Sequence, residues 1–495
     1  MTASVLWQAL MLVLDPYVLW VILGSAIFGL FVGAVPGLTA TMATALLVPV
    51  TFFMPPVPAI ASIVTATAMA IFAGDIPSCF LRMPGTPASA AYTDEAYAMT
   101  KKGQGEVALG AGLVFSVIGG LFGTAVLIVA APALAEIALK FSSFEYFWLV
   151  VLGLLCAVFI ALANPLKGVV SLLLGLLVAC VGLDNPAGFP RFTFGNAELA
   201  GGLTLIPIMI GMFAVSEILR GVARIDEPWE MARAQIGNVF RGMWRLTLRY
   251  KMPVLRGSAL GTAIGVLPGA GADIAAWMSY AVSKKFSKEP EKFGTGHVEG
   301  IVEAGASNNS ALAGAWVPAL VFGIPGDSIT AIVIGVLYIK GLNPGPSIFM
   351  ENATAIYAIF MVFILANLLL LPLGIAAIKS AKQLLRAPRH ALMPVILLFC
   401  IVGSFAINNS VFGVVLMLAF GLIAYFMEEN GFPVAPAILG MVLGAMLEEH
   451  FIRAMIRGDG ELVAFVQRPI AAGLAAAVLV VLAWPVAAWL LRRKR

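Results

Sequence analysis

Charge is what this chain lacks most. Asp, Glu, Lys and Arg make up 11% of its 495 residues, against about 25% in soluble globular proteins. So few charges cannot cover a water-facing surface of normal size, which excludes a soluble fold, and the mean hydropathy of +0.99 agrees. Histidine is nearly missing: His297, His390 and His450 have no partner at metal-ligand spacing. The four cysteines, Cys79, Cys156, Cys180 and Cys400, are scattered, which argues against a disulfide framework or a metal site. No G-x-S-x-G, H-E-x-x-H or Walker A stretch occurs, so neither catalysis nor ATP hydrolysis has sequence support, and no cofactor is expected. The short alternating segments of a β-barrel are absent too. The first residues carry no basic n-region and no small-residue cleavage site, so a removable signal peptide is not expected.

Long apolar segments are abundant. They lie near 17–35, 57–74, 107–139, 144–161, 166–183, 202–221, 298–322, 353–378, 391–406, 411–427, 432–447 and 469–491, with shorter broken pieces at 38–54, 75–93, 254–283 and 324–341. A crossing takes about 20 apolar residues. The expected fold is therefore an all-α polytopic membrane protein with about twelve transmembrane helices plus re-entrant or broken ones. Fifty glycines and 29 prolines suit such a bundle.

The net charge of +4 resides in short loops, so it speaks to membrane orientation and not to nucleic acid. The most polar stretch, 222–256, holds Arg224, Arg233, Arg241, Arg245, Arg249, Lys251 and Arg256 against Asp226, Glu227 and Glu230. Phe240, Trp244 and Leu248 recur every four residues beside Arg241, Arg245 and Arg249. That pattern predicts a cytoplasmic surface helix facing anionic lipid; a calmodulin-like partner would read the same stripes. This connector separates a first membrane half, 1–221, from a second, 257–495. The terminal Arg492-Arg493-Lys494-Arg495 is expected in the cytoplasm.

The halves share a fault. Gly29 to Gly37, GLFVGAVPG, and Gly261 to Gly269, GTAIGVLPG, both read G-x3-G-x2-P-G. Each is followed by a second Pro-Gly break, MPGTPASAA from Met83 and IPGDSITAI from Ile324. Proline inside a helix costs about 3 kcal/mol, and in lipid the freed carbonyls need protein or a wet cavity. Corresponding loops differ in charge: 52–58 is uncharged while 284–292 has four lysines, and Lys101-Lys102 faces the uncharged 341–349. The pattern is that of an inverted-topology repeat, the alternative being two kinks that match by coincidence.

Interrupted helices expose backbone N–H groups where the dipole is positive, which favours anionic solutes. Candidate substrate-binding residues are accordingly Gly37, Leu38 and Thr39, Gly85, Thr86 and Ser89, Gly269 and Gly271, and Gly326 and Ser328, with hydroxyls also at Thr41 and Thr330. The polar island Asn308, Asn309 and Ser310 either coordinates substrate or ion, or bonds neighbouring helices. Arg82 suits a carboxylate, or pairs structurally with Asp75. Asp75, Asp273 and Asp327 are candidate ion-coupling groups.

The stretches GAVPGLTATMATALLVP, GDIPSCFLRMPGTPASAA, GVLPGAGADIAAWMSYAVSKKFSK and EAGASNNSALAGAWVPALVFGIPGDSITAIVIG together resemble the large membrane subunit of tripartite tricarboxylate transporters, the TctA family. The resemblance extends over roughly 17 to 490. It implies a permease of the bacterial inner membrane, working with a small four-span membrane subunit and a secreted periplasmic solute-binding protein. It also implies transport of citrate or related carboxylates driven by a Na⁺ or H⁺ gradient. A stand-alone organic-anion carrier and an ion channel are the alternatives, since both use broken helices.

Overall fold

The computed structural model describes residues 3–160, 165–183, 188–223, 237, 239–240, 242–385 and 389–492. Arg224, Asp226, Glu227, Glu230, Arg233 and Arg241 of the connector lie outside the described residues, as do Arg493, Lys494 and Arg495. Among the described residues all regular structure is helical, apart from one isolated bridge between Gly182 and Arg191. Seven helices are long and apolar enough to cross a membrane: Pro16–Ala34, Pro56–Leu81, Gly105–Ala138, Leu205–Ala223, Ala353–Lys379, Val411–Glu429 and Val434–Arg457. Several expected crossings, including Ser143–Cys156, Pro165–Ala179 and Ala391–Ile407, are shorter apolar helices, as are Ala40–Phe52 and Ser328–Ile339 among the expected broken pieces.

The centre is built from small residues. Pro56–Ala73 is buried almost throughout and packs against Pro16–Ala34, where a side chain at Gly29 or Gly33 would collide with the Ala66 or Ala70 backbone. Val298–Phe322, 25 residues with Glu299, Glu303, Asn308 and Asn309, is buried along nearly its whole length. Gly257, Gly261 and Gly265 of Lys251–Val266 press on Glu303, Ser307 and Ala311, and Gly119 and Gly123 press on Ala306 and Ser310. Glycine at these steps lets helix backbones approach closely, as membrane bundles require in the absence of a hydrophobic drive between helices.

Both Gly/Pro motifs break their helices in the same way. Pro16–Ala34 ends at extended Val35, whose N–H bonds Val32 O; Lys251–Val266 ends at extended Leu267, whose N–H bonds Ile264 O. Leu38 N–H then bonds Val35 O and Ala270 N–H bonds Leu267 O, both at 3.1 Å. Gly37 and Gly269 take φ of 87° and 79°, a region glycine enters without penalty. New helices follow, Ala40–Phe52 and Gly271–Phe286.

The second breaks also correspond. Arg82 and Gly323 both cap helix ends in the left-handed conformation, and Met83 and Ile324 send their N–H groups back to Pro77 O and Pro318 O. Beyond them, Thr86 and Ser89 exchange bonds (Thr86 N–H to Ser89 Oγ, Ser89 N–H to Thr86 Oγ1), each 3.1 Å. Asp327 and Thr330 do the same at 2.9 and 2.7 Å.

Two contacts join the halves through their loops. Lys102 Nζ donates to Thr295 O at 2.6 Å, and Lys340 Nζ donates to Phe52 O at 2.9 Å. Among the described residues the expected single surface helix is interrupted. Gly242, at φ 82°, precedes a short helix Met243–Arg249, so Phe240 lies outside the helix that carries Trp244 and Leu248. All three remain exposed.

Candidate functional site

The four breaks meet around one cavity of about 190 Å³. Its walls include Thr39 and Thr41 from the first break, Thr86 and Pro87 from the second, Gly269, Gly271 and Asp273 from the third, and Asp327 and Ser328 from the fourth. Ile71 of Pro56–Ala73, Asn308 of Val298–Phe322 and Ala435 of Val434–Arg457 also line it. Ligand pockets for drug-sized molecules are commonly about 300–1,000 Å³, so this one suits a small solute.

Four helices of twelve residues or more begin at the cavity: Ala40–Phe52, Gly271–Phe286, Ser328–Ile339 and Val434–Arg457. Each presents the positive dipole end of a first turn, whose N–H groups lack a partner within the helix. Thr39 caps the first, its Oγ1 accepting Met42 N–H at 3.2 Å. Asp327 caps the third, its Oδ1 accepting Thr330 N–H at 2.7 Å. Asp273 bridges the halves: its Oδ1 accepts Ala88 N–H at 3.0 Å. Nearby, Trp277 Nε1 donates to Pro87 O at 3.2 Å. No Lys, Arg or His lines the cavity among the described residues; its only charged side chains are Asp273 and Asp327.

Several sequence-derived candidates lie elsewhere. Arg82 is the main correction. Its backbone caps a helix at φ 55° and its side chain pairs at 2.8 Å with Asp94, the two being 61% and 63% exposed, so it faces neither the cavity nor Asp75. Leu38 is buried against a separate apolar cavity of about 480 Å³ between Pro16–Ala34, Ala40–Phe52 and Arg389–Asn408. Ser310 packs on Gly123 and Gly261 and donates to Ser307 O, so it holds helices together. Asn309 is buried with neither side-chain polar atom bonded, and does not line the cavity. Gly37, Gly85, Ser89 and Gly326 shape the breaks without lining it. Asp75, 3% exposed, sits behind the site; Tyr92 Oη donates to its Oδ1 at 2.7 Å.

Two features escaped the sequence reading. Ala435 comes from the start of a distant helix, between Pro433 and Pro436, a stretch that the sequence analysis did not single out. Tyr92, which holds Asp75 and also contacts the Asn308 side chain, follows the second break closely enough that a buried hydroxyl there was a readable clue.

The family model described as "Tripartite tricarboxylate transporter TctA family" matches residues 18–439. An Agrobacterium vitis protein described as an uncharacterized 52.8 kDa protein in the TAR-I ttuC' 3' region is 35% identical over 459 residues, 93% of this chain and 91% of that protein. A second A. vitis protein, uncharacterized and from the TAR-II ttuC' 3' region, is 37% identical over 214 residues, 43% of this chain and 88% of its own length. No solved structure matches. With a family match across most of its length and helices suited to repeated membrane crossing, this chain belongs to the tripartite tricarboxylate transporter TctA family, a family of membrane transport proteins.

Proposed function

We propose that this chain is the large permease subunit of a secondary transporter that imports tricarboxylates or related carboxylates. Its partners are a small four-span membrane subunit and a secreted periplasmic solute-binding protein, and a Na⁺ or H⁺ gradient drives it. The observation that carries the reading is the convergence of four helix N-termini, from both halves, on one small polar cavity. Such ends bind carboxylates through backbone N–H groups and need no basic side chain. Interrupted helices meeting between repeats are the usual substrate sites of secondary transporters.

The two halves act as an inverted-topology repeat in this reading. Support comes from the matched breaks at Gly37 and Gly269 and the matched caps at Thr86–Ser89 and Asp327–Thr330. Support also comes from which loops touch. The loop after Lys101-Lys102 meets the loop after the lysine-rich 284–292, which suits a shared cytoplasmic side. The ends near Phe52 and Lys340 meet in turn, which suits the periplasmic side. The chain lies in the bacterial inner membrane with its C-terminus in the cytoplasm.

Reconstitution tests the proposal. The chain and its small subunit are placed in proteoliposomes, and uptake of radiolabelled citrate is followed with and without the binding protein, under a Na⁺ and then an H⁺ gradient, with other carboxylates as competitors. Saturable uptake that needs the binding protein and one gradient is expected. Uptake without the binding protein would mark a stand-alone carrier, and rapid unsaturable flux would mark a channel.

A further inference from the structure

The charge in the cavity has the wrong sign for an anion. Asp273 and Asp327 line it, no basic side chain does among the described residues, and its volume is about 190 Å³. Two carboxylates sharing so small a space repel each other and any carboxylate that enters, unless something positive lies between them. Each already uses Oδ1 as a hydrogen-bond acceptor, from Ala88 N–H and from Thr330 N–H. That leaves a second oxygen on each.

An independent feature points to what is missing. Asn308 is 1% exposed, lines this same cavity, and its Oδ1 has no hydrogen-bond partner. A buried amide oxygen left without a donor loses its water bonds with nothing in exchange, so its orientation needs a cause. Tyr92 supplies one. Its hydroxyl hydrogen is committed to Asp75 Oδ1 at 2.7 Å, so toward Asn308 the phenol oxygen acts only as an acceptor. The phenol oxygen is thus open to the Asn308 NH₂ and not to its carbonyl oxygen, which makes Asp75 and Tyr92 positioning residues for that amide.

We propose that Asp273, Asp327 and the Asn308 carbonyl oxygen form a binding site for a hard, oxygen-seeking cation of the Na⁺ class, which binds with the transported anion in this cavity. The set contains only oxygen donors, the preference of hard cations, and no nitrogen or sulfur ligand. The division of labour follows the matched breaks: where the second half has Asp273 and Asp327, the matching positions of the first half are Thr41, in the first turn of Ala40–Phe52, and Thr86, both neutral hydroxyls. The second half thus holds the cation, and the first half offers hydroxyls and amides to the anion. This rests on the transport reading above but is tested without transport.

The test is equilibrium binding of radiolabelled Na⁺ to the purified chain with its small subunit in nanodiscs, with no carboxylate present and Mg²⁺ and K⁺ as competitors. Saturable Na⁺ binding is expected in the wild type. Asp273→Asn and Asp327→Asn should each weaken it about tenfold or more, and Tyr92→Phe about tenfold, as loss of a group that orients a ligand does. Asn keeps the helix cap at 327, so that variant should fold. Asn308→Asp, which adds a charge to the ligand set, should tighten binding, while the exposed Arg82→Ala should leave it unchanged. Absence of saturable Na⁺ binding in the wild type would overturn the proposal, as would unaltered binding in both aspartate variants. Na⁺ binding without carboxylate uptake in proteoliposomes would sink the transport reading and leave this site standing.

Discussion

At Gly85 and Gly326 the constraint is space; at Gly37 and Gly269 it is backbone conformation. A Cβ at Gly85 would lie 2.5 Å from Gly74 Cα and 2.9 Å from Gly33 O, and one at Gly326 would lie 2.7 Å from Ala315 Cα and 2.9 Å from Gly265 O. Backbone on both sides cannot yield, so Gly85→Ala and Gly326→Ala should cut uptake about tenfold or more while the protein still reaches the membrane. At Gly37 no atom stands within 4 Å of such a Cβ, but φ is 87°. Alanine there costs about 1–2 kcal/mol, and Asn, which tolerates left-handed backbone, should restore most uptake. Equal damage by Gly37→Ala and Gly37→Asn would show that conformation is not the constraint. Arg82 is the opposite case. Its pair with Asp94 is exposed, so it contributes at most about 1 kcal/mol. Arg82→Gly should keep near-normal uptake and shift stability by less than about 1 kcal/mol, because glycine accepts the φ of 55° without strain. A large loss of uptake in that variant would put Arg82 back in the binding site.

Among the elements, the breaks were legible and their neighbours were not. The G-x3-G-x2-P-G spacing announces where helices end, because proline and left-handed glycine have few other uses inside an apolar run. The same text does not say which side chains reach a common space. Segments more than 200 residues apart line the cavity together, so only folding brings Thr39, Thr86, Asp273 and Asp327 to it. Arg82 misled because its charge suggested binding, while its backbone serves a helix cap that glycine serves at position 323. The polar island divided for a similar reason. Residues 308 and 310 point to different neighbours on one helix, so Asn308 faces the cavity and Ser310 faces Gly123 and Gly261. A further element-level feature was invisible in sequence: Glu95, fully buried, accepts from Tyr280 Oη at 2.8 Å, from Gly296 and His297 N–H at 2.6 and 2.7 Å, and from Gly294 N–H. It fastens the helix Thr93–Lys101 to the loop before Val298–Phe322. Glu95→Ala would strand these donors, and should cost about 3 kcal/mol or more, seen as a lower thermal midpoint of the solubilised protein. An unchanged midpoint would mean the clasp is not needed for stability.

At the scale of the whole molecule, composition alone identified a helical membrane protein. The number of helices able to cross was less readable, because hydropathy counts residues without knowing their surroundings. Val298–Phe322 shows why: Glu303 and Asn308 lower its apolar character, yet it is buried on all sides, with Arg256 paired to Glu303 at 2.5 Å and with glycines of two helices against it. Protein takes the place of lipid around it, so polar groups there are satisfied or available for function. The central claim is that both halves build one solute site at their breaks. It is tested by thiol labelling of Thr86→Cys and Ser328→Cys, one from each half, in a background with the four native cysteines replaced by alanine. The labelling rate is followed against increasing concentration of the carboxylate that the reconstituted system transports, with Arg82→Cys as an exposed control. The account predicts that both positions are protected over the same concentration range while Arg82→Cys labels at a constant rate. Protection of neither, or of one alone, would contradict a shared site.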